Sequence, residues 1–222
     1  MEAVTIALAK GRLADRTMEL LEAIGIDCAQ VRSPGRKLVF GEPTGRFRFI
    51  LVKPSDVPTY VDHGVADIGV VGKDTLMEEN RPLYELLDLG FGQCRLCIAG
   101  FPEGKRRAVT DANFRVATKY PNIAREYYGA RGQTIEIIKL NGSVELGPLV
   151  GLSDVILDIV ESGGTLRANG LEIQETVVEN VSARMVVNCV SLKTKGERIR
   201  WLIDSVAAQL ARRKEEDEEA QV

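Results

Sequence analysis

The sequence is poor in histidine and aromatic residues. Of its 222 residues one is a histidine, His63, and aromatic residues make up 5%. A single histidine excludes a histidine-rich metal site, and a Ser-His-Asp triad would depend on that one residue. His63 precedes Gly64 at the predicted end of a helix, where the helix dipole favours a histidine, so we assign it no catalytic role.

The sequence also lacks the segments that direct proteins into or across membranes. It has no run of about 18 apolar residues, so it predicts no membrane-spanning helix. The first residues, Met-Glu-Ala-Val, do not form a basic region followed by an apolar stretch, so no signal peptide is expected. These absences predict a cytoplasmic protein.

The sequence also has no large excess of positively or negatively charged residues. The formal net charge is −3, and the last twelve residues account for −2 of it, with three cations and five acids. A nearly neutral body argues against a nucleic-acid-binding protein that depends on overall charge, but it leaves room for a local basic cleft. The acidic end is predicted to be a solvated helix terminus.

Cysteine is scarce and scattered. Of Cys28, Cys94, Cys97 and Cys189, the middle two form a Cys-x-x-Cys pattern within a predicted strand. A spacing of three places two side chains on opposite faces of a strand. A zinc site would need a second pair, and a redox pair would need a helix start, so we predict neither.

What the sequence has is a regular alternation of short apolar segments with turns and helical patterns. The predicted strands cover residues 4–9, 47–52, 66–71, 93–100, 114–118, 134–140, 154–160, 171–178 and 182–192. An amphipathic helix follows, with apolar residues from Ile199 to Leu210 on one stripe. This order predicts an α/β protein with mostly parallel sheets in two lobes around a central cleft. We expect one lobe to comprise residues 1–98 and 187–222, and the other residues 99–186.

Ligands of parallel α/β sheets bind beyond the carboxyl ends of the strands. In the first lobe the residues at these points include several cations, and in the second they include hydroxyls and glycines. They are Lys10, Gly11, Arg12, Lys53, Gly72 and Lys73 in the first lobe, and Lys119, Tyr120, 141–143 and 162–165 in the second. Cations collected at one edge predict an anionic ligand, although surface lysines are also common in loops.

The most specific local pattern is an apolar strand that runs into Ser162-Gly163-Gly164-Thr165 and a helix. Glycines allow the backbone to approach a phosphate, and hydroxyl and N–H groups can donate to it. Asp158, before the loop, suits ribose hydroxyls or Mg²⁺. The segment resembles the phosphoribosyl-diphosphate loop of phosphoribosyltransferases, where two acids precede a Thr-Gly-x-Thr turn. Here only the second acid is present, because Leu157 occupies the first position; a turn without a ligand is the alternative.

Further motifs occur in a fixed order along the chain. They are Lys-Gly-Arg-Leu at 10–13, Arg-Lys-Leu at 36–38, Pro-Ser-Asp-Val-Pro-Thr-Tyr-Val at 54–61, Gly-Val-Ala-Asp-Ile-Gly at 64–69, Gly-Lys-Asp at 72–74, Ala-Thr-Lys-Tyr-Pro-Asn at 117–122 and Asn-Gly-Ser-Val-Glu-Leu at 141–146. Together with the loop at 162–165, this series resembles the ATP phosphoribosyltransferase family, in its short form. The resemblance extends from about residue 4 to residue 205.

The resemblance implies two lobes similar to type II periplasmic binding proteins, with the active site between them. N1 of ATP would attack C1′ of phosphoribosyl diphosphate, with Mg²⁺ accompanying the substrates and no general base. Lys53 and Arg36 would stabilise the leaving diphosphate. The phosphoribosyl-diphosphate residues would be Asp158, Glu161, Ser162, Gly163, Gly164, Thr165 and Leu166. The ATP or diphosphate residues would be Lys10, Gly11, Arg12, Asp67, Gly72, Lys73, Tyr120 and Glu145.

Two positions depart from the family pattern. Lys53 stands where the family commonly has arginine, which keeps the charge but loses the two-pronged contact to phosphate. Gly164 stands where a larger polar residue is frequent, so one side-chain contact to phosphate would be missing.

The short form also implies a partner. A homodimer of the chain would build a hetero-octamer with a regulatory subunit related to histidyl-tRNA synthetase. Two other functions remain open on the residues alone: another phosphoribosyltransferase, and a cytosolic two-lobed ligand-binding module, because a fold by itself does not decide function.

Overall fold

The structure, a computed structural model, describes residues 2–105 and 114–219. The chain divides into two compact units, Met1–Gly92 with Ser182–Val222 and Gln93–Val181. The division expected from the sequence, at 98/99 and 186/187, cuts through two strands. Cys94–Gly100 pairs along its whole length within the second unit, and Ala183–Val187 within the first, so each strand belongs to a single unit.

Eleven strands are present in the described part of the chain. They are β1 Val4–Ala9, β2 Val39–Gly41, β3 Phe47–Val52, β4 Ile68–Gly72, β5 Tyr84–Asp88, β6 Cys94–Gly100, β7 Arg115–Thr118, β8 Glu136–Lys139, β9 Val155–Val160, β10 Glu172–Val181 and β11 Ala183–Val187.

Nine α-helices connect or follow these strands within the described ranges. They are α1 Arg12–Ala23, α2 Ala29–Arg32, α3 Val57–Asp62, α4 Lys73–Glu79, α5 Pro121–Gly129, α6 Leu146–Leu149, α7 Gly164–Ala168, α8 Ser191–Thr194 and α9 Gly196–Glu219. None of them is both long enough and apolar enough to span a membrane.

Each unit contains one sheet. The first has the order β2-β3-β1-β4-β11-β5 and the second the order β10-β6-β9-β7-β8. Three neighbouring strands are parallel in each, β3-β1-β4 and β9-β7-β8.

The sheets are nevertheless mixed, not mostly parallel as the sequence predicts. β11 lies antiparallel between β4 and β5, β6 lies antiparallel between β9 and β10, and β2 forms a hairpin with β3. β3 and β4, β7 and β8, and β8 and β9 are each connected through a helix and run in one direction, as βαβ units require, whereas β6 and β11 run against their neighbours. They are the strands with which the chain enters and leaves the second unit.

The core of the first unit explains why β1 is apolar at every position except Thr5. All six of its residues are buried. Ile6 and Leu8 belong to the cluster that includes residues of α1 and α9, and Ala7 and Ala9 to the cluster on α3. A strand covered on both faces needs a continuous apolar run instead of an alternating one.

The last helix includes the charged segment, which the sequence predicts to be a helix terminus. Ile199, Leu202 and Val206 are fully buried, as the apolar stripe predicts. The helix continues past Leu210 through the charged end to Glu219, which is therefore helical. Arg, Lys and Glu are good helix formers, so the charged segment can extend the helix without packing.

The two neighbouring cysteines differ in environment. Cys97 is fully buried in the core of the second unit, and its Sγ lies 3.8 Å from Thr176 Oγ1. Burial raises the pKa of the Cys97 thiol despite the Thr176 contact, which acts in the opposite direction. Cys94 is partly exposed at the start of the same strand. The burial of Cys97 is a packing feature of the second sheet.

Candidate active site

Lys10 and Lys53 directly follow two adjacent strands, β1 and β3, and lie side by side. β1 and β3 end together, with Ala9 opposite Val52, and the Lys10 N–H donates to the Val52 carbonyl at 3.1 Å. Both lysine side chains are exposed. The register of the parallel strands therefore places two cations at the carboxyl edge of the first sheet.

Gly11 makes the turn from β1 into α1. Its φ of 107° lies in a region that glycine adopts easily, and its carbonyl accepts from the Ala14 N–H at 2.9 Å. The helix begins at once, so Arg12 is its first residue and is exposed at the same edge.

Arg36 reaches this edge from a different direction. β2 is antiparallel to β3, and the Leu51 N–H donates to the Leu38 carbonyl at 3.1 Å. The residues before β2 therefore lie near the end of β3. Arg36, two residues before Leu38, is exposed there.

Gly72 ends β4, on the other side of β1, and Lys73 follows it. A Cβ atom on Gly72 would lie 2.1 Å from Asp74 Oδ1, so the position has no room for a larger residue unless that carboxylate moves. Lys73 begins α4, and its Nζ lies 2.5 Å from Glu85 Oε2 on β5. Lys73 thus reaches the predicted edge already paired with an acid.

Asp67 does not belong to this group. It precedes β4 and lies at the amino edge of the sheet, 3% exposed. Its carboxylate accepts from the Thr5 N–H at 2.7 Å, the Ser191 hydroxyl at 2.6 Å and the Lys195 ammonium at 2.9 Å. The expectation that Asp67 binds ATP or diphosphate is therefore corrected, because these groups occupy the carboxylate and it faces away from the cationic edge.

In the second unit the loops after β7, β8 and β9 also meet at one edge. Thr118 lies opposite Lys139 on one side and opposite Leu157 on the other. The Thr118 hydroxyl donates to the Leu157 carbonyl at 2.7 Å and accepts from the Tyr120 N–H at 2.8 Å. This threonine therefore fixes the loop after β7 against β9.

Tyr120 and Glu145 lie in these loops in different environments. Tyr120 is 2% exposed, and the Lys119 ammonium lies 5.6 Å from the centre of its ring. Glu145 is half-buried at the start of α6. Glu145 is therefore accessible to a ligand in the described structure, and Tyr120 supports the loop from within.

The loop after β9 has the form that the sequence predicts for a phosphate site. Gly163 adopts a positive φ of 72°, and the Gly164 N–H donates to Ser162 Oγ at 3.3 Å. Glu161 and Thr165 are exposed, whereas Leu166 is 4% exposed and anchors α7 in the core. Hydroxyls thus project from a turn whose following helix is held by apolar packing.

Asp158 lies three residues before this loop, within β9. It is half-buried, and its Oδ1 accepts from the Ile159 N–H at 2.9 Å. The strand extends beyond β7, whose last residue Thr118 lies opposite Leu157. Asp158 therefore stands past the end of the neighbouring strand, close to the loop in sequence.

The sequence patterns did not point to Glu85 or Arg184, which contact the Lys73 group. Arg184 Nη1 lies 3.3 Å from Glu85 Oε1, and Arg184 Nη2 lies 3.0 Å from Asp88 Oδ2. The two residues are far apart in the sequence and lie in segments without glycine-rich or motif-like patterns, so no local signal marks them.

Comparisons with known proteins agree with this arrangement of strands and loops. The family model HisG: ATP phosphoribosyltransferase matches residues 53–210. The ATP phosphoribosyltransferase of Ruminiclostridium cellulolyticum is 55% identical over 213 residues, which are 95% of this chain and 99% of that protein. The chain belongs to the ATP phosphoribosyltransferase family. The enzyme of that name from Lachnoclostridium phytofermentans is 56% identical over 208 residues, 93% of this chain and 96% of that protein.

Solved structures also resemble this chain in fold. The ATP phosphoribosyl transferase (HisG:HisZ) complex from Thermotoga maritima matches with a TM-score of 0.82 and 34% identity, over 94% of this chain and 99% of that chain. The periplasmic aliphatic sulphonate binding protein SsuA from Escherichia coli matches with a TM-score of 0.57 and 14% identity, over 99% of this chain and 76% of that chain. The second likeness concerns the fold alone, and it confirms the predicted α/β class of the periplasmic binding proteins.

Proposed function

We propose that the chain transfers the phosphoribosyl group of phosphoribosyl diphosphate to N1 of ATP and releases diphosphate, the first step of histidine biosynthesis. The observation on which this rests is 55% identity to an ATP phosphoribosyltransferase over 95% of the chain. The cationic edge of the first sheet and the glycine loop of the second support it, because both substrates are polyanions.

In this proposal the cations at the carboxyl edge of the first sheet bind the phosphate groups and stabilise their charge. Lys53 and Arg36 stabilise the departing diphosphate, and Lys10, Arg12 and Lys73 bind the triphosphate or the diphosphate. Gly11 allows close backbone approach, whereas Gly72, beside Lys73, leaves room for the Asp74 carboxylate. Charge develops on the leaving group as the C1′–O bond breaks, and fixed cations stabilise that charge. N1 attacks with a lone pair, so no base has to remove a proton beforehand.

The second unit would hold the phosphoribosyl group. Asp158 accepts hydrogen bonds from the ribose hydroxyls, and the segment 162–166 binds the 5-phosphate through hydroxyl and N–H donors. Glu161 and Glu145 flank this position. The exposed Thr165 hydroxyl and the turn at Gly163 support the assignment.

Replacing Thr165 with alanine should weaken phosphoribosyl diphosphate binding by about 1–2 kcal/mol, the scale of one hydrogen bond to a charged group. The measurement is isothermal titration calorimetry with the folded variant. Thr194→Ala, which removes an exposed threonine from α8 at the amino edge of the first sheet, is the control. Unchanged affinity in a folded Thr165→Ala protein would show that the loop is misassigned.

Magnesium enters this proposal with the substrates. The described residues contain no group of three or more histidine, cysteine or acidic side chains that could hold a metal. Asp158 and Glu161 offer carboxylates beside the glycine loop, and Mg²⁺ is commonly held by one or two carboxylates together with substrate phosphates. The donor set thus fits an ion delivered on phosphates, where it would neutralise charge on the diphosphate.

A separate regulatory subunit and a cytoplasmic location are part of the proposal. The Thermotoga maritima relative is a HisG:HisZ complex. We infer that this chain forms a homodimer within a hetero-octamer whose second subunit resembles histidyl-tRNA synthetase. Histidine should then inhibit the purified chain little. Strong inhibition of the chain alone, measured as diphosphate release with and without histidine, would contradict the separate regulator.

The activity itself is tested by diphosphate release from ATP, phosphoribosyl diphosphate and Mg²⁺. No diphosphate, even with the regulatory subunit added, would exclude the proposed reaction. Replacing ATP by free purines or pyrimidines separates this enzyme from other phosphoribosyltransferases, because only the proposed reaction needs intact ATP. Calorimetric binding of an amino acid without binding of phosphoribosyl diphosphate would instead favour a ligand-binding module.

A further inference from the structure

Four alternating charges connect the cationic edge of the first sheet to its antiparallel strands. The Lys73 ammonium lies 2.5 Å from one oxygen of Glu85, and the other oxygen of Glu85 lies 3.3 Å from the Arg184 guanidinium. Arg184 contacts Asp88 at 3.0 Å. The sequence of contacts is therefore cation, acid, cation, acid. Its first member, Lys73, directly follows β4, and its side chain extends to Glu85, which lies level with Gly69 in the sheet.

The far end of this network is firmly held. Asp88 Oδ1 accepts from the Ser182 hydroxyl at 2.7 Å and from the Gly90 N–H at 2.9 Å. Burial acts to raise the pKa of Asp88, but these hydrogen bonds and the Arg184 charge outweigh it, so the pKa lies below its ordinary value. Asp88 is therefore an anion at neutral pH and a fixed partner for Arg184.

The middle of the network is fixed by the sheet. Arg184 lies on β11 between β4 and β5, directly opposite Asp88, and its side chain is 16% exposed. Val186, two residues further along β11, lies opposite Glu85. The guanidinium is thus confined between two acids on the neighbouring strand and can orient Glu85.

The Lys73 ammonium, at the other end of the network, keeps N–H donors for a ligand. An ammonium group has three N–H donors, and one contact to Glu85 leaves others available. The Lys73 side chain is 32% exposed, so part of it faces solvent. Lysine has a flexible stem that loses freedom when it binds phosphate, and a contact that holds the ammonium beforehand reduces that loss.

We propose that Glu85 is a positioning residue for the phosphate-binding cation Lys73, with Arg184 holding Glu85 in place. The proposal rests on the proposed function, in which Lys73 binds phosphate. Glu85 does not contact the substrate in this arrangement, and its whole effect passes through Lys73. If Glu85 instead competed with phosphate for the ammonium, its removal would strengthen binding.

The test is a set of four proteins: wild type, Glu85→Ala, Lys73→Met and the double variant. The readouts are steady-state kinetics and calorimetric binding of inorganic diphosphate, which needs no turnover. We expect Glu85→Ala to raise the Kd for diphosphate about tenfold. In the kinetic assay it should raise the KM for ATP or for phosphoribosyl diphosphate by about the same factor, with kcat nearly unchanged. In the Lys73→Met background the same change should have almost no further effect, because residues that act as a unit are not additive.

Two further variants guard the interpretation. Glu85→Gln keeps an acceptor for the ammonium and should show a smaller effect than Glu85→Ala. Asp62→Asn breaks the Arg81–Asp62 pair, which has a 2.8 Å contact and similar exposure, 30% and 27%, at the end of α3. It should leave KM and Kd unchanged, which separates positioning from a general loss of ion pairs.

Three results would overturn the proposal: unchanged affinity in folded Glu85→Ala, tighter binding in that variant, or an equal loss with and without Lys73. Failure of the proposed function is a separate result, because it would show as no diphosphate release by the wild type even with the regulatory subunit added. The diphosphate titration would still report on Glu85 in that case.

Discussion

Lys53→Met should lower kcat for diphosphate release by about 10²–10³-fold, the range typical for loss of one group that stabilises transition-state charge. Lys53 directly follows β3 next to Lys10, and its side chain is exposed. Its cation would face the leaving diphosphate. Steady-state assays of diphosphate release at saturating concentrations of both substrates measure the effect on kcat directly.

Two further substitutions serve as a conservative comparison and a control for Lys53→Met. Lys53→Arg restores the residue common in the family and adds the two-pronged contact to phosphate, so turnover should stay level or rise. Lys193→Met removes an exposed lysine from α8, which follows β11 at the amino edge of the first sheet, and should leave kcat unchanged. A large loss in Lys53→Arg, or none in Lys53→Met, would remove Lys53 from the reaction.

Asp67→Ala should destabilise the protein by about 3 kcal/mol, at the lower end for breaking a buried ion pair. The change would leave the Lys195 ammonium, the Ser191 hydroxyl and the Thr5 N–H without their shared acceptor. Lys195 is 22% exposed and can reach water in part, which keeps the loss from being greater. Urea denaturation of wild type and variant gives the difference in free energy of unfolding.

The same variant separates the two roles considered for Asp67. A structural role predicts an unchanged KM for ATP at a temperature where the variant stays folded. Asp67→Asn keeps one acceptor oxygen, which can serve the Thr5 N–H, and its amide N–H can donate to the Ser191 hydroxyl. It loses the charge that pairs with Lys195, so its stability should lie between those of wild type and Asp67→Ala. A raised KM with unchanged stability would return Asp67 to the ligand-binding residues.

The sequence predicted those features that local patterns specify. Apolar segments mark the strands, and the bounds predicted for β1, β3 and β9 lie within a residue of the observed ends. β1 is buried along its whole length, whereas β3 and β9 each contain one charged residue, Arg48 and Asp158. The parallel register of the central strands then brings Lys10, Lys53 and Lys73 to one edge, as expected from their positions after strands. The turn at Gly163 likewise follows from residues next to one another.

Features that depend on distant partners could not be predicted in this way. Asp67 stands in a motif with glycines, yet its ammonium partner Lys195 is 128 residues away. The Lys73–Glu85–Arg184 contacts depend on β11 entering between β4 and β5, which no spacing in the sequence reveals. β2 and β5 are short edge strands with little apolar patterning, and neither was predicted.

The insertion of β11 between β4 and β5 also sets an order for folding during translation. β5 ends at Asp88, and β11 begins at Ala183, about 95 residues later. At about 5–20 residues per second, the ribosome needs roughly 5–20 s to supply that strand. All strands of the second sheet, β6 to β10, emerge before it. The second unit can therefore complete its sheet before the strand that joins β4 and β5 has been synthesised, so until then the nascent first unit has an unfilled strand position between them.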